Sequence, residues 1–259
     1  MMKTMTSAWR DDISRYPPPA RLKVPLHQLA LFLDIDGTLA HITAHPHLTR
    51  VPLRTRRTLQ SLQRAGVAIA GLSGRPLLQV RRLLYPLDVP VGGSHGAQIT
   101  LGLGRSVRKS SGLPAGLAEL LETTVSAWPG VWLERKPASL AIHWRQARAR
   151  ELDVERLMSH ALLLAPGWIV MRGHCVHELR LAGHHKGKAL QWLMRRPGFV
   201  RRCPIAIGDD RTDEDAFAAA LNLGGMAIHV GEREDTLAPW RLRDVDALAA
   251  WLEGQLIGF

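Results

Sequence analysis

Asp34-Ile35-Asp36-Gly37-Thr38 places two carboxylates two residues apart, at the end of the apolar run Leu29-Ala30-Leu31-Phe32-Leu33. The run reads as a buried parallel strand. Side chains two positions apart on an extended chain point the same way. Gly37 lets the chain turn sharply just behind them. Adjacent anions repel and resist desolvation, so a packed core suits them poorly. Holding a hard cation and carrying out phosphoryl chemistry suit them well. Two ordinary aspartates in a solvated loop would give the same pattern, so the rest of the chain must decide.

Three more stretches bear on that choice. Ser73 lies in Gly71-Leu72-Ser73-Gly74-Arg75-Pro76, directly after Val67-Ala68-Ile69-Ala70. Lys186 opens Lys186-Gly187-Lys188-Ala189-Leu190, a helix start. Gly208-Asp209-Asp210-Arg211-Thr212-Asp213-Glu214-Asp215 follows the short apolar strand Pro204-Ile205-Ala206-Ile207. Each has a plainer alternative. Ser73 could simply cap the next helix. Lys188 rivals Lys186. The acidic run suits a solvated helix N-terminus, which is enough to account for Asp210, Glu214 and Asp215. An EF-hand is excluded, because the sixth position from Asp209 is Glu214 and not glycine. A P-loop is excluded too: Gly183 to Gly187 is one residue short, and Ala189 replaces the Ser/Thr.

Taken in order, strand–DxDGT, strand–Ser, Lys at a helix start and strand–GDDxxDE resemble the four motifs of the haloacid-dehalogenase (HAD) superfamily of phosphohydrolases. The resemblance spans residues from about 29 to 230. It implies that Asp34 is the nucleophile, forming an aspartyl-phosphate, and that Asp36 is the general acid and later the base. It also implies one Mg²⁺ held by the Asp34 carboxylate, the Asp36 backbone carbonyl and Asp209. Asp213 would support that shell directly, through water or through Lys186. Ser73 and Lys186 would bind phosphoryl oxygens, and the family's Lys-Gly-x-Ala order favours Lys186 over Lys188. Gly74, Arg75, Ser94 and His95 complete the expected substrate loops.

The surrounding pattern supplies a scaffold for these residues. Strands are expected at 29–34, 67–72, 89–91, 204–207 and 226–230, and helices at 52–65, 76–84, from 186, at 212–221 and at 245–252. This alternation argues for an α/β fold, a doubly wound parallel sheet. Ligands of such sheets bind beyond the carboxyl ends of the strands, where all four motifs lie. Between the Ser73 and Lys186 motifs the pattern changes to helix (113–127), hairpin (131–135 and 139–145), helix (149–164) and hairpin (168–172 and 176–181). The chain is therefore expected to have an N-terminal tail (1–25), a split catalytic core (26–98 and 183–259) and an inserted α+β cap domain (99–182).

The insert carries Glu134-Arg135-Lys136, Ala141-Ile142-His143-Trp144-Arg145 and His177-Glu178-Leu179-Arg180. Polar groups on one face of a small sheet suit a ligand with many hydroxyls. With Gly93-Ser94-His95-Gly96-Ala97 and the Gly208 run, these stretches closely resemble the trehalose-6-phosphate phosphatases. The resemblance implies that Glu134, Lys136 and Glu178 contact the glucose remote from phosphorus, with trehalose 6-phosphate as the small-molecule substrate. Arg135-Lys136-Pro137 departs from the family's more usual Lys-Gly-type turn. Phosphatases of sucrose 6-phosphate or mannosylglycerate phosphate are the nearest alternative. A non-catalytic basic binding protein is the alternative from another class, and Asp34, Asp36, Ser73, Lys186 and Asp209 argue against it.

Length and composition narrow the remaining classes. The chain has 259 residues, 46% apolar and 22% charged, enough for a sizeable globular core. No apolar run approaches a membrane span, and residues 1–12 lack the apolar stretch of a signal peptide, so a cytoplasmic protein without a membrane partner is expected. Cys175 and Cys203 have no CxxC spacing and read as reduced, buried small hydrophobes. His41, His45, His47, His174 and His177 lack the second half of a zinc finger. The net charge of +11 is spread along the chain without a nucleic-acid motif, and such a field attracts a dianionic sugar phosphate equally well. No nucleic-acid partner is expected, and a monomer is the expected form.

Overall fold

The computed structural model describes residues 17–102, 106–108, 113–136 and 139–257. In chain order the strands are β1 (Leu29–Leu33), β2 (Ala68–Leu72), β3 (Val91–Gly93), β4 (Gln98–Thr100), β5 (Ser106–Arg108), β6 (Trp132–Lys136), β7 (Ser139–His143), β8 (Trp168–Gly173), β9 (Val176–Leu181), β10 (Cys203–Gly208), β11 (Met226–Val230) and β12 (Trp240–Leu242). The helices are α1 (Leu53–Arg64), α2 (Leu77–Leu84), α3 (Leu117–Ser126), α4 (Glu151–Leu164), α5 (Lys186–Met194), α6 (Glu214–Asn222) and α7 (Val245–Gly254). The chain divides into two compact units, residues 1–105 with 185–259, and residues 106–184.

In the first unit the strand order is β12-β11-β10-β1-β2-β3-β4. Every pair from β12 to β3 is parallel, and β3–β4 is antiparallel. The two faces of this sheet differ in side-chain size. Leu29, Leu31, Leu33, Ile69, Ile205, Ile207, Ile228 and Val230 pack with α1, α2 and α7. Ala30, Ala70, Ala206 and Ala227 face α5 and α6, which present Ala189, Ala216, Ala219 and Ala220, with Phe32 and Phe199 filling the wider space. Small side chains on both surfaces let helix and sheet approach closely. The register aligns Leu33 with Ile207 on one side and with Gly71 on the other. Asp34, Ser73 and Asp209 therefore leave the sheet together, at the carboxyl ends of β1, β2 and β10.

The second unit holds an antiparallel sheet in the order β6-β7-β9-β8. Leu140, Ile142 and Leu179 on one face pack with Leu117, Leu121 and Val125 of α3 and with Val154, Met158 and Ala161 of α4. The other face carries the alternate residues of the same strands.

The structure corrects several expectations. The insert begins near residue 106, not 99, because β4 pairs with β3 and keeps 98–100 in the core. Strand β3 falls at Val91–Gly93 and not at 89–91, since Gly71↔Val91 and Leu72↔Gly92 set the register despite two glycines. Residues 17–25 form no helix or strand and are held to the rest of their unit by hydrogen bonds. Pro17 O accepts from Arg241 N (3.2 Å), Pro19 O from the Trp251 indole (3.0 Å), and Leu22 N donates to Gln255 Oε1 (3.0 Å). The rest of the expected tail, and Pro137-Ala138 of the first hairpin, lie outside the described residues. Both cysteines are free and only half-buried. Among the described residues no helix is long and apolar enough to cross a membrane.

Asp244 caps α7, its side chain accepting from Ala247 N at 2.8 Å. Asp244→Ala should lower the unfolding free energy by about 1 kcal/mol, read as a shift in urea midpoint at constant slope.

Candidate functional site

Lys186 is the first residue of α5 and is 2% exposed. Its ammonium donates to Asp34 Oδ1 at 2.6 Å and to Asp213 Oδ1 at 2.7 Å. Lys188, one turn position away, is exposed. Asp34, Asp209 and Asp213 bring carboxylate oxygens within 4.8 Å of one another. Two glycines make room for this. A Cβ at Gly37 would sit 2.0 Å from Asp209 Oδ2, and a Cβ at Gly208 would sit 2.1 Å from the Asp213 carboxyl carbon. Gly37 also has φ +77°, the left-handed region. Thr38 Oγ1 donates to Asp209 Oδ1 (3.3 Å), and Asp210 N donates to Asp213 Oδ2 (3.1 Å).

One ammonium among three carboxylates leaves two negative charges in excess. Burial raises the Asp34 carboxyl well above its ordinary range, and Lys186 offsets this only in part while Asp213 and Asp209 add repulsion. Burial, then the Asp213 charge, pushes Asp209 up to about 6. Burial alone would lower the Lys186 ammonium, but Asp213 and Asp34 outweigh it and hold it above the ordinary lysine range. An all-oxygen, electron-rich donor set of this kind fits a hard divalent cation. It is the only such group among the described residues, and the histidines form none.

Asp36 turns away from this cluster. Its carboxylate receives both arms of the Arg75 guanidinium, Nε at 2.5 Å and Nη2 at 2.6 Å. Thr49 Oγ1 bridges the pair, 3.3 Å from Asp36 Oδ1 and 2.8 Å from Arg75 Nη2. Arg75 also donates to Pro46 O (2.9 Å). Arg75, expected among the substrate ligands, is thus bound to the second carboxylate of the DxD pair.

Ser73 is 2% exposed and accepts from Arg75 N at 3.2 Å, a local turn bond; it does not cap the following helix, whose N-cap is Pro76 without a side-chain bond. The Ser94-His95 loop is stitched to it, with Ser94 N donating to Arg75 O (2.8 Å) and His95 N to Ser73 O (3.0 Å). Ser94 and His95 both hold positive φ, 49° and 55°. Consecutive left-handed non-glycine residues are costly and persist only where neighbours over-determine them. The His95 ring lies where a Gly74 Cβ would be, 2.6 Å away, which is why Gly74 must lack one. The Ser94 hydroxyl is buried without a partner among the described residues.

On the face of the β6-β7-β9-β8 sheet away from α3 and α4, Lys136 Nζ donates to Glu178 Oε1 (3.3 Å) and lies 3.8 Å from Glu134 Oε2. Ser139 Oγ donates to the same Glu178 oxygen (2.5 Å), and His143 Nε2 lies 3.1 Å from Glu134 Oε2. The His143 contact, against the opposing effect of burial and with help from Lys136, holds Glu134 below its ordinary range. The Glu134, Lys136 and Glu178 side chains are half-buried, so solvent still reaches all three.

Thr38 and His143 lie in stretches that the sequence singles out without giving either a role, and Thr49 and Ser139 lie outside them. The hydroxyl of Thr38 is its only signal. His143 and Ser139 share the face of Glu134 and Lys136 through the register Trp132↔His143 and Lys136↔Ser139, which alternation along β7 could have exposed. Thr49 has no local signal.

The family model described as Trehalose-phosphatase matches residues 32–246. The chain is 35% identical to the trehalose-6-phosphate phosphatase of Escherichia coli K12 over 227 residues, covering 86% of this chain and 85% of that one. Its fold is shared with the C-terminal domain of Candida albicans trehalose-6-phosphate phosphatase (TM-score 0.73, 22% identity, 93% and 98% covered). It is shared also with a haloacid dehalogenase-like hydrolase from B. subtilis (TM-score 0.64, 16% identity, 88% and 99% covered). The chain belongs to the trehalose-phosphatase family.

The excess negative charge sets an expectation for cation binding. Asp209 titrates near 6 in the cation-free protein, so below that pH a proton competes for its oxygens. Divalent-cation affinity should weaken as pH falls through about 6, with binding releasing a proton below that pH and none well above it. Calorimetric titration in two buffers of different ionisation enthalpy measures this. Affinity independent of pH between about 5 and 8 would remove Asp209 from the cation site.

Proposed function

We propose that this member of the trehalose-phosphatase family hydrolyses trehalose 6-phosphate to trehalose and inorganic phosphate, the closing step of trehalose synthesis. The observation that carries this reading is the buried Lys186–Asp34–Asp213 contact, beside Asp209 at the carboxyl edge of the core sheet. It supports phosphoryl transfer with Asp34 as nucleophile. The Glu134–Lys136–Glu178 cluster supports a sugar with many hydroxyls as the leaving group.

The residues divide the work as follows. An Asp34 oxygen attacks phosphorus, and the bond from phosphorus to the sugar oxygen breaks. Asp36 gives that oxygen its proton. Protonated Asp36 keeps one oxygen for Arg75 and offers the other as the O–H donor, and the two-armed bond to Arg75 re-forms once the proton has passed to the sugar oxygen. The resulting Asp36 carboxylate takes a proton from water, and that water's oxygen attacks the aspartyl-phosphate, freeing phosphate and Asp34. Ser73 and Lys186 bind phosphoryl oxygens and stabilise charge in both transition states. Asp34, Asp209 and the Asp36 backbone carbonyl would hold Mg²⁺, with Asp213 in support, and the ion would supply positive charge against the phosphate dianion. Glu134, Lys136 and Glu178 take hydroxyls of the distal glucose.

Asp34→Asn keeps the shape but loses the nucleophile and one cation charge. Phosphate release from trehalose 6-phosphate should fall at least about a thousandfold. EDTA should abolish wild-type turnover and Mg²⁺ should restore it. More than about a tenth of the activity surviving in Asp34→Asn would overturn the covalent route.

Substrate choice is read separately. A panel of trehalose, sucrose and mannosylglycerate phosphates should show trehalose 6-phosphate preferred. Glu134→Ala, Lys136→Ala and Glu178→Ala should each cost about 10- to 150-fold in kcat/KM for that substrate, the worth of a hydrogen bond to a charged group. p-Nitrophenyl phosphate, which has no second ring, should lose far less. Equal losses on both substrates would assign these residues to folding of the insert.

A further inference from the structure

The face of the insert's sheet that points away from α3 and α4 carries an aromatic group that the charged cluster does not explain. Trp132, at the start of β6, is 51% exposed. Its indole lies flat on the His143 imidazole, ring centroids 3.9 Å apart and planes 8° from parallel. His143 in turn contacts Glu134 at 3.1 Å. Trp132, Glu134 and Lys136 alternate along one strand and share a face, with His143, Ala141 and Ser139 opposite them. The indole therefore stands one side-chain row, roughly 6–7 Å, from Glu134. One flat side of the ring is covered by imidazole, and the ring cannot swing freely because its cover is anchored to a carboxylate.

An exposed tryptophan gains nothing from water contact, and a lone one needs no explanation. A tryptophan backed, oriented and set beside carboxylates and an ammonium is a different case. It offers a flat apolar surface beside a set of hydrogen-bonding groups. A hexopyranose has matching parts: an apolar side made of ring C–H groups, and hydroxyls around its rim.

We propose that Trp132 is a specificity-determining residue that takes the C–H side of the distal pyranose, while Glu134 and Lys136 take its hydroxyls. This rests on the substrate reading above and extends it from charge to shape. The platform selects a ring with an uninterrupted apolar side, which the carboxylates alone cannot do.

The test compares Trp132→Ala and Trp132→Phe with the wild type on trehalose 6-phosphate and on p-nitrophenyl phosphate, in the full chain. Trp132→Ala should lower kcat/KM for trehalose 6-phosphate about tenfold or more, with a far smaller loss on p-nitrophenyl phosphate. Trp132→Phe, which restores a flat ring, should recover most of the loss. Trehalose itself should protect the wild type against heat and protect Trp132→Ala less. Equal losses on both substrates, an alanine variant with unchanged preference, or a phenylalanine variant no better than alanine would overturn the proposal. If the wild type prefers another sugar phosphate, the substrate reading falls, and the same contrast on that substrate decides the role of Trp132. A wild type acting on no sugar phosphate overturns both.

Discussion

Two buried carboxylates and a third, half-buried one crowd around a single buried ammonium, and the core is built around that imbalance. Asp34, Asp209 and Asp213 would repel one another apart without Lys186 between them. Leaving such a buried group unpaired costs about 3–5 kcal/mol. Each partner is delivered by a different element, β1, the end of β10, the turn before α6 and the first residue of α5. The glycines follow from the same demand. Gly37 and Gly208 clear space for carboxylates, and a Cβ at Gly187 would lie 2.1 Å from Asp215 O, so α5 and α6 meet backbone to backbone next to Lys186.

The insert's cluster obeys different physics. Glu134, Lys136 and Glu178 are half-open to water, where ion pairs contribute little to stability. Their partners can be exchanged for water at modest cost. The core's pair cannot be exchanged so easily, because desolvation has already been spent on both partners. One group of charges is fixed before any ligand arrives, and the other is suited to negotiate with it. Arg75 and Asp36 lie between these extremes, with Arg75 12% and Asp36 35% exposed at the side chain and a two-armed bond between them.

Much of this arrangement was legible in the sequence. The positions of Asp34, Ser73, Lys186 and Asp209 could be read because each follows a short apolar run or opens a helix, and local punctuation marks both. Doubly wound order could be read for the same reason. The Arg75–Asp36 fork could not. It depends on Thr49 and Pro46, which come from an irregular segment whose path is set by contacts far along the chain. Strands β4 and β12 escaped because three residues carry no period, and only their neighbours make them strands. The end of the core before the insert was misjudged by the same blindness, since pairing of β4 with β3 decides it.

The unequal faces of the core sheet have a consequence for how this protein can drift. On the leucine- and isoleucine-rich face, exchanges of similar volume can be absorbed by α1, α2 and α7 sliding slightly. On the alanine-lined face there is no slack. An added methyl at Ala30, Ala206, Ala216 or Ala220 must push α5 or α6 outward, and those helices begin at Lys186 and just after Asp213. Errors accumulating on the first face would appear as lost robustness. Errors on the second would appear as a correctly folded but miswired protein, its charges intact and out of alignment. The smallest side chains in the molecule are therefore among the least replaceable, although none of them touches a reacting atom.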